Sequence, residues 1–192
     1  MMESQKLIQL LVEQTNQICH QAENLKHQDL HLLTWREHQN SWSILECLEH
    51  LNRYGNFYLP EIERSINHSK ASKESIFKSG LFGNYFANSM LPKKNFRKIK
   101  TFKDKNPLNA KLDKTVIEQF IAQQKQLLEL LNQSKNVSLN QTKVKISISS
   151  LIKLQLGDCF RFYINHMIRH LSQIQNTHNT YKQMVLNPPQ TP

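Results

Sequence analysis

The sequence has no long apolar run. Residues 1–11 contain no apolar stretch of the length found in a secretory signal, and no segment approaches the roughly 18 uninterrupted apolar residues of a membrane span. We therefore expect a soluble, cytoplasmic protein that has no membrane partner.

Cysteine is scarce as well. Cys19, Cys47 and Cys159 are odd in number and widely spaced, and each falls within a helical pattern. This arrangement argues against a disulfide framework. We interpret the three as buried free thiols that behave as small apolar side chains. A role as a soft metal ligand or a reactive thiol is the alternative for Cys47 and Cys159.

Acidic residues are fewer than basic ones, with 15 Asp and Glu against 25 Lys and Arg, so the formal charge is +10. Most of the excess lies in residues 93–114, where nine cationic residues face only Asp104 and Asp113 and leave a charge of +7. Such a segment is either a solvated loop or a site that attracts nucleic acid, an anionic metabolite or an acidic protein surface. No aromatic residues alternate with the cations in a recognised nucleic-acid motif, so a nucleic-acid partner is not expected.

The pattern of apolar residues predicts an all-α fold. Amphipathic helices are expected over residues 4–26, from residue 44 onward, from Asp113 to about residue 134, and over residues 151–176. Without internal repeats, four such helices favour a four-helix bundle with a long basic loop between the second and third helices. The length of 192 residues suits one domain, predicted over residues 1–180, with a disordered tail over 181–192.

The second helix has the clearest start signal. Ser43 followed by Glu46 forms a capping-box pattern, and Trp42 and Cys47 are spaced as a hydrophobic staple. Pro60 lacks a backbone donor and crowds the preceding turn, which predicts a kink or a brief interruption just before it.

Two further stretches are less regular. Residues 69–112 show poor periodicity, although the aromatic content of residues 76–91 suggests a short helix or a packed loop. Residues 143–149 alternate polar and apolar side chains, which is typical of a strand. No partner run is evident, so this stretch is either a short strand or a connection into the last helix.

Histidines are the most informative residues. His166 and His170 are four residues apart, which places both imidazoles on one face of a helix where they can bind one ion. Spacing alone is weak, because chance supplies roughly 0.4 such pairs in a chain with this histidine content. A second pair, His27 and His31, falls where the first helix should end, whereas the later pair borders an apolar face. His50, inside the second helix, is placed to join it.

Three neutral imidazoles from two helices would leave coordination positions open, as catalytic metals require. The alternative is that these histidines are core or surface residues satisfied by hydrogen bonds. Glu46, one turn before His50, is either a hydrogen-bond acceptor for an imidazole or only the capping residue of its helix. Tyr163 and Arg161 are expected to pack and to face solvent, respectively.

Two segments resemble a known family. Trp42-Ser-Ile-Leu-Glu-Cys-Leu-Glu-His50-Leu resembles the second-helix motif of the DinB-like superfamily, and Leu156-Gly-Asp-Cys-Phe-Arg-Phe-Tyr-Ile-Asn-His166-Met-Ile-Arg-His170-Leu-Ser-Gln-Ile is similar to its last-helix motif. The similarity covers the whole domain in order. It implies a four-helix bundle with a three-histidine metal site at His50, His166 and His170. The family includes S-transferases that use low-molecular-weight thiols such as bacillithiol, mycothiol-dependent isomerases, and many members without an assigned reaction.

The leading hypothesis is therefore a metal-dependent enzyme acting on a small molecule. The ion, a divalent transition metal such as zinc, nickel or iron, would lower the pKa of a thiol co-substrate, and cations of residues 93–114 would hold the thiol's carboxylates. A metal-dependent hydrolase with water in the same position is an alternative. The rival class is a non-catalytic bundle that binds an acidic partner through residues 93–114. An exposed apolar helix face could support a homodimer.

Overall fold

The computed structural model of the chain describes residues 1–92, 101–147 and 149–187. Among these described residues, none of the helices combines the length and the apolar content needed to cross a membrane. The elements of the described part are α1 (Ser4–Leu25), α2 (Leu30–Thr34), α3 (Ile44–Asn67), α4 (Leu81–Ser89), α5 (Thr115–Gln133), α6 (Leu156–Leu186), β1 (Met2–Glu3), β2 (Ile76–Phe77), β3 (Lys143–Ile146) and β4 (Ser149–Gln155).

The core lies between four long helices. Helices α1 and α3 each pack against both α5 and α6. The expected mostly helical architecture is confirmed, and the apolar face predicted for α3 is buried as a whole. The contact between α3 and α6 brings together the two helices that carry His50, His166 and His170. The buried side chains of that face of α3 are Ile44, Leu48, Leu51, Tyr58, Ile62 and Ile66.

The expectation of a purely α-helical protein is wrong in one respect, since the described residues also form two small antiparallel sheets. β1 pairs with β2, and β3 pairs with β4. The extended pattern predicted in residues 143–149 is β3, and its partner is the stretch that was expected to begin the last helix. A short apolar run does not distinguish a strand from a helix by its periodicity, and here the burial of Val144 opposite Leu154 favours the hairpin.

The last helix consequently starts later and ends later than predicted. It begins at Leu156 rather than near residue 151, and it continues to Leu186 rather than ending near Asn176. Residues 181–186, which the sequence placed in a disordered tail, belong to this helix. Residues 188–192 lie outside the described part of the chain.

The start of α3 confirms the capping box. The amide of Glu46 donates to Oγ of Ser43 (3.2 Å), and the amide of Ser43 donates to Oε2 of Glu46 (2.8 Å). The predicted interruption before Pro60 does not occur, because α3 is continuous through it. Leu59 and Ile62 are both buried beside the proline, and this packing outweighs the missing backbone hydrogen bond.

A short helix does lie within residues 76–91, as one of the two alternatives predicted. Helix α4 is fixed to the start of α6 by Asp158, a buried carboxylate that accepts a hydrogen bond from the amide of Gly80 (2.8 Å). Gly83 makes the close approach possible, since a Cβ there would lie 2.1 Å from a carboxylate oxygen of Asp158. Further along, the side-chain amide of Asn165 donates to the carbonyl of Ala87 (2.9 Å). Helix α4 therefore lies firmly against the helix that bears two of the histidines.

The basic segment is only partly described. Its residues 93–100, with five of the nine cations, lie outside the described residues. The remaining part, residues 101–114, contacts the first turns of α3 and contains a short 3-10 turn at Lys103–Lys105. We call residues 101–114 the strap.

Candidate metal centre

Three histidines that are far apart in the sequence lie side by side in the fold. His50 is in the second turn of α3, and His166 and His170 lie one turn apart on α6. Their exposed fractions are only 3%, 6% and 8%, respectively. Nε2 of His166 is 3.3 Å from Nε2 of His50 and 3.1 Å from Nε2 of His170. A ligand nitrogen of each ring lies within 4.8 Å of those of the other two.

These distances fit a shared cation. Nitrogens that bind one zinc ion at roughly 2.0–2.1 Å in a tetrahedral arrangement are about 3.3 Å apart, a separation that follows from the bond length and the tetrahedral angle. The distances from His166 to its two neighbours agree with this value. Imidazole donors suit zinc, nickel, iron and copper alike, so the donor set indicates a transition metal without selecting one.

The outer nitrogens of two rings fix their tautomers. Nδ1 of His50 lies 2.8 Å from the carbonyl oxygen of Lys105, and Nδ1 of His170 lies 3.1 Å from Oε1 of Gln173. An oxygen acceptor requires Nδ1 to carry the proton, which leaves the Nε2 lone pair of each ring free to bind a metal. Both lone pairs face Nε2 of His166.

Hydrogen bonds among the three rings cannot satisfy this arrangement. A neutral His166 that is protonated at Nε2 has one N–H at this position, but the lone pairs of both His50 and His170 face it. One of these two buried acceptors would therefore have no hydrogen-bond donor. Nδ1 of His166 is itself buried and has no hydrogen-bond partner among the described residues. A cation between the three Nε2 atoms would satisfy all three lone pairs at once.

Burial also keeps the imidazoles in the form that binds metals. Desolvation lowers the pKa of His50 to about 4 and the pKa of His170 to about 3. The pKa of His166 is lowered well below its usual value, first by desolvation and then by its two histidine neighbours. All three rings are therefore neutral near pH 7, and a metal does not have to displace protons from them.

Aromatic rings enclose the cluster on two sides. The ring of Trp42 lies 4.6 Å from that of His50 and 5.8 Å from that of His170, measured between centroids. Tyr54 lies 4.9 Å from His50 and 4.7 Å from His166. The amine of Lys105 lies 5.8 Å from the centre of the Tyr54 ring, within the range of a cation–π contact. The centre thus combines apolar walls with nearby positive charge from Lys105, Arg53 and Arg169.

The strap is held in place by side chains of α3 and its cap. Arg53 donates from Nη1 to the carbonyl oxygens of Asp104 (3.4 Å) and Asn106 (3.1 Å). The indole N–H of Trp42 donates to Oδ1 of Asn106 (3.1 Å). These bonds flank Lys105, so they position the carbonyl that orients His50.

Glu46 anchors the other end of the strap. Its carboxylate binds Arg36 through Nε (2.8 Å) and Nη2 (2.6 Å) and accepts from the amide of Asn109 (2.7 Å). Asn109 adopts the left-handed conformation, with φ of 67°, which asparagine tolerates better than most residues. No contact between Glu46 and an imidazole occurs among the described residues, so the capping role is correct and the imidazole role is wrong.

The other residues considered from the sequence lie outside the centre. His27 and His31 are exposed, and Nδ1 of His31 pairs with the hydroxyl of Tyr181 (2.9 Å). Cys47 and Cys159 are completely buried free thiols, and desolvation raises the pKa of each far above its usual value. Both behave as apolar core residues.

The prediction for Tyr163 is confirmed, whereas the prediction for Arg161 is wrong. Tyr163 is fully buried, and its ring lies 5.5 Å from that of Tyr58, so its predicted packing role is confirmed. Arg161, expected to face solvent, is only 22% exposed at its side chain and forms an ion pair with Asp158 (3.1 Å). It belongs to the contact that fixes α4.

A comparison with protein families identifies the same family that the two motifs resemble. A sequence model of the DinB superfamily matches residues 9–174, which include all three histidines. This chain belongs to the DinB superfamily. Comparisons with curated proteins and with solved structures gave no match. The membership of this DinB superfamily chain therefore rests on the family match and on its own motifs.

Several groups at the centre of this DinB superfamily chain could not be found from the sequence. The carbonyl of Lys105 carries no side-chain signal, because every residue has a carbonyl. Gln173 lies three residues after His170, a spacing that places it on the same helical face, but glutamine is too common there to be diagnostic. Arg53 lies three residues after His50, and its contact with the strap depends on the path of a segment with no periodicity.

Proposed function

We propose that this chain is a metal-dependent enzyme of the DinB-like type, in which His50, His166 and His170 bind one divalent transition ion, with zinc, nickel and iron as the candidates. Its four long helices would form the four-helix bundle that the family resemblance implies. The reaction we favour is S-transfer, in which a low-molecular-weight thiol of the bacillithiol kind attacks an electrophilic small molecule.

One observation carries the proposal. Three buried and neutral imidazoles turn their Nε2 atoms toward one point, and hydrogen bonds at Nδ1 hold two of them in the tautomer that leaves Nε2 free. Three protein ligands also leave at least one position open for a substrate, which is the pattern of catalytic rather than structural metal sites. Burying the Nε2 lone pairs of all three rings without a ligand would be unfavourable.

The surroundings suit the chemistry of a thiol. When bound, the ion supplies Lewis acidity that lowers the pKa of a thiol or water in the open position. Trp42 and Tyr54 pack against the histidine rings and would offer apolar surfaces to an electrophile. The amine of Lys105, beside Tyr54, pairs with the exposed carboxylate of Asp104 (3.1 Å) and would exchange this partner for a carboxylate of the thiol.

No carboxylate forms a hydrogen bond with any of the three imidazoles among the described residues, so no protein base is apparent. A thiol with a lowered pKa loses its proton without such a base. The alternative is a hydrolase with water in the open position, and it shares the same ligands. A non-catalytic bundle that binds an acidic partner through residues 93–114 is the third possibility, and it requires no metal.

Metal content tests the site directly. We expect elemental analysis of protein purified without added metal to give close to one transition ion per chain, or to do so after loading. The variant His166→Ala His170→Ala should lose the ion. The matched control is His27→Ala His31→Ala, which removes an exposed pair with the same spacing and should keep it. Retention of the ion by the first variant would contradict the proposed ligands.

Activity then separates the reactions. The metal-loaded protein is mixed with a low-molecular-weight thiol and a fluorogenic alkylating electrophile. S-transfer predicts turnover that requires the thiol, saturates with it, and is lost with His166→Ala His170→Ala. Turnover of an ester or amide without a thiol would favour the hydrolase. Full metal occupancy with no turnover in either assay would favour the non-catalytic bundle.

A further inference from the structure

A concave site lies away from the histidines. A cleft of about 470 Å³ opens between the C-terminal end of α3 and the hairpin formed by β3 and β4. Glu61, the first α3 residue on its wall, is eleven residues beyond His50, which corresponds to about 16 Å along the helix. The volume falls within the usual range of small-ligand pockets.

The cleft is strongly basic. Among its lining residues, all within the described part of the chain, five cationic side chains face a single carboxylate, which leaves a formal charge of +4 with histidine neutral. That carboxylate, Glu61, already pairs with Arg64. The amines of Lys70, Lys145 and Lys153 have no ion pair or hydrogen bond among the described residues. The five cations are Arg64, Lys70, Lys143, Lys145 and Lys153.

Two of these lysines repel each other when no anion lies between them. Lys145 and Lys153 are directly opposite each other in the register of β3 and β4. Like charges at opposed positions of an antiparallel pair destabilise a hairpin. Lys143, two residues before Lys145, is on the same face of its strand, so the repulsion extends to a third cation. An anion bound between these amines would remove the repulsion.

The end of α3 does not account for the whole cluster. Cations near a helix C-terminus interact favourably with its partial negative charge, which explains Arg64 and Lys70. The hairpin lysines are on strands and gain nothing comparable. The end of the helix therefore does not offset the repulsion between Lys145 and Lys153.

We propose that this cleft binds a small molecule carrying two or more phosphate groups. Phosphate oxygens pair with several amines at once, and such charge-assisted hydrogen bonds are the strong ones. Ser69 and Thr142 are hydrogen-bonded to each other in the lining, with their oxygens 2.7 Å apart, and whichever hydroxyl accepts this bond provides one further donor. The described lining contains no Phe, Tyr or Trp on which a nucleobase would stack, so a compact phosphate ligand fits better than single-stranded nucleic acid.

Calorimetric titration of the full chain with inorganic pyrophosphate tests the proposal. We expect one binding site per chain and an affinity that falls with added salt. The variant Lys145→Gln Lys153→Gln should bind pyrophosphate about tenfold more weakly or worse, because it loses two charge-assisted contacts. The matched control is Lys125→Gln Lys182→Gln, which removes the same charge from exposed residues outside the cleft and should bind as the unaltered chain does.

Thermal unfolding of the hairpin variant shows whether weaker pyrophosphate binding could come from a less stable fold. Relief of the opposed charges should leave the hairpin variant at least as stable as the unaltered chain, so that weaker binding reflects the lost amines. Absence of pyrophosphate binding, or equal weakening by both variants, would overturn the proposal. Binding of a DNA duplex together with indifference to pyrophosphate would overturn it in favour of a nucleic-acid surface. The histidines are not involved, so failure here leaves the proposed metal site unaffected.

Discussion

Nδ1 of His50 donates a hydrogen bond to the carbonyl of Lys105, 2.8 Å away and 55 residues later in the chain. The bond makes the strap part of the candidate metal centre, since it sets which nitrogen of His50 is free. Loss of a group that orients a metal-binding histidine typically lowers metal affinity by about 10- to 100-fold.

Arg53 should therefore affect metal binding without contacting the metal. Its substitution by alanine removes the bonds to the carbonyls of Asp104 and Asn106 and frees the carbonyl of Lys105 to move. We expect metal affinity, measured by competition with a chromogenic chelator, to fall about 10- to 100-fold. Lys105→Ala is the control, because it removes one charge nearby but keeps the carbonyl. Equal losses in both variants would show that charge rather than orientation matters.

Glu46 should affect stability more than any exposed carboxylate. The side chain is 1% exposed and binds Arg36, the amide of Asn109 and the amide of Ser43. Glu46→Ala leaves these donors without their acceptor, and we expect the free energy of unfolding in urea to fall by about 3–5 kcal/mol. Glu3→Ala, which breaks the exposed pair with Lys6, should change it by about 1 kcal/mol at most. Comparable changes in the two variants would contradict an anchoring role for Glu46.

Acid should destabilise the metal-free protein over a defined range. The unfolded chain binds protons at His50 and His170 near their usual pKa of 6.5, whereas the folded protein does so only near about 4 and about 3. Stability from these groups is present above pH 6.5 and is lost as the pH falls toward 4 and then 3, by about 3 kcal/mol for His50 alone.

Urea unfolding of the metal-free protein at pH 7.5, 5.5 and 4.5 would measure this loss. His50→Gln should reduce the dependence on pH, since glutamine does not titrate. His27→Gln, which changes an exposed histidine, should leave it as it is. A dependence that is the same in all three proteins would assign the acid sensitivity to other groups.

The protein's own thiols should be inert. Cys47 and Cys159 are 0% exposed, and burial raises the pKa of both, so neither forms a thiolate at neutral pH. A chromogenic thiol reagent should modify at most Cys19 in the folded chain and all three cysteines in denaturant. Cys19→Ser should retain any S-transfer activity. Rapid modification of a second thiol in the folded protein would make an internal nucleophile the better explanation.

Sequence patterns predicted the structure correctly where the interacting residues are close together in the chain. The capping box of Ser43 and Glu46 spans three residues and was predicted together with the start of α3. The proximity of His50 to the later pair was predicted from its position in the second helix and from the family resemblance, because the spacing of His166 and His170 is the same as that of His27 and His31. The structure brings the three together, while their binding of a metal stays a prediction.

Features that depend on distant partners were missed. Residues 149–155 form a strand because β3 pairs with them, and no pattern within those residues distinguishes a strand from the start of a helix. The strap was interpreted mainly through its charge, yet its contact with His50 is made by a backbone atom. The amine of Lys105 lies beside Tyr54 at the centre, and it is positioned by its ion pair with Asp104 (3.1 Å) and by the contacts of its neighbours.

Glu46 lies one turn before His50 on α3 and pairs with Arg36. The strap connects the histidine cluster to this pair, because it bonds to His50 through the carbonyl of Lys105 and to Glu46 through the amide of Asn109. A rearrangement of the His50 ring must therefore either break its hydrogen bond to the carbonyl of Lys105 or move the backbone of the strap. By thermodynamic linkage, a ligand that fixes the ring also suppresses local opening of residues 101–114. The amide hydrogens of this segment would then report occupancy of the centre through slowed exchange with solvent.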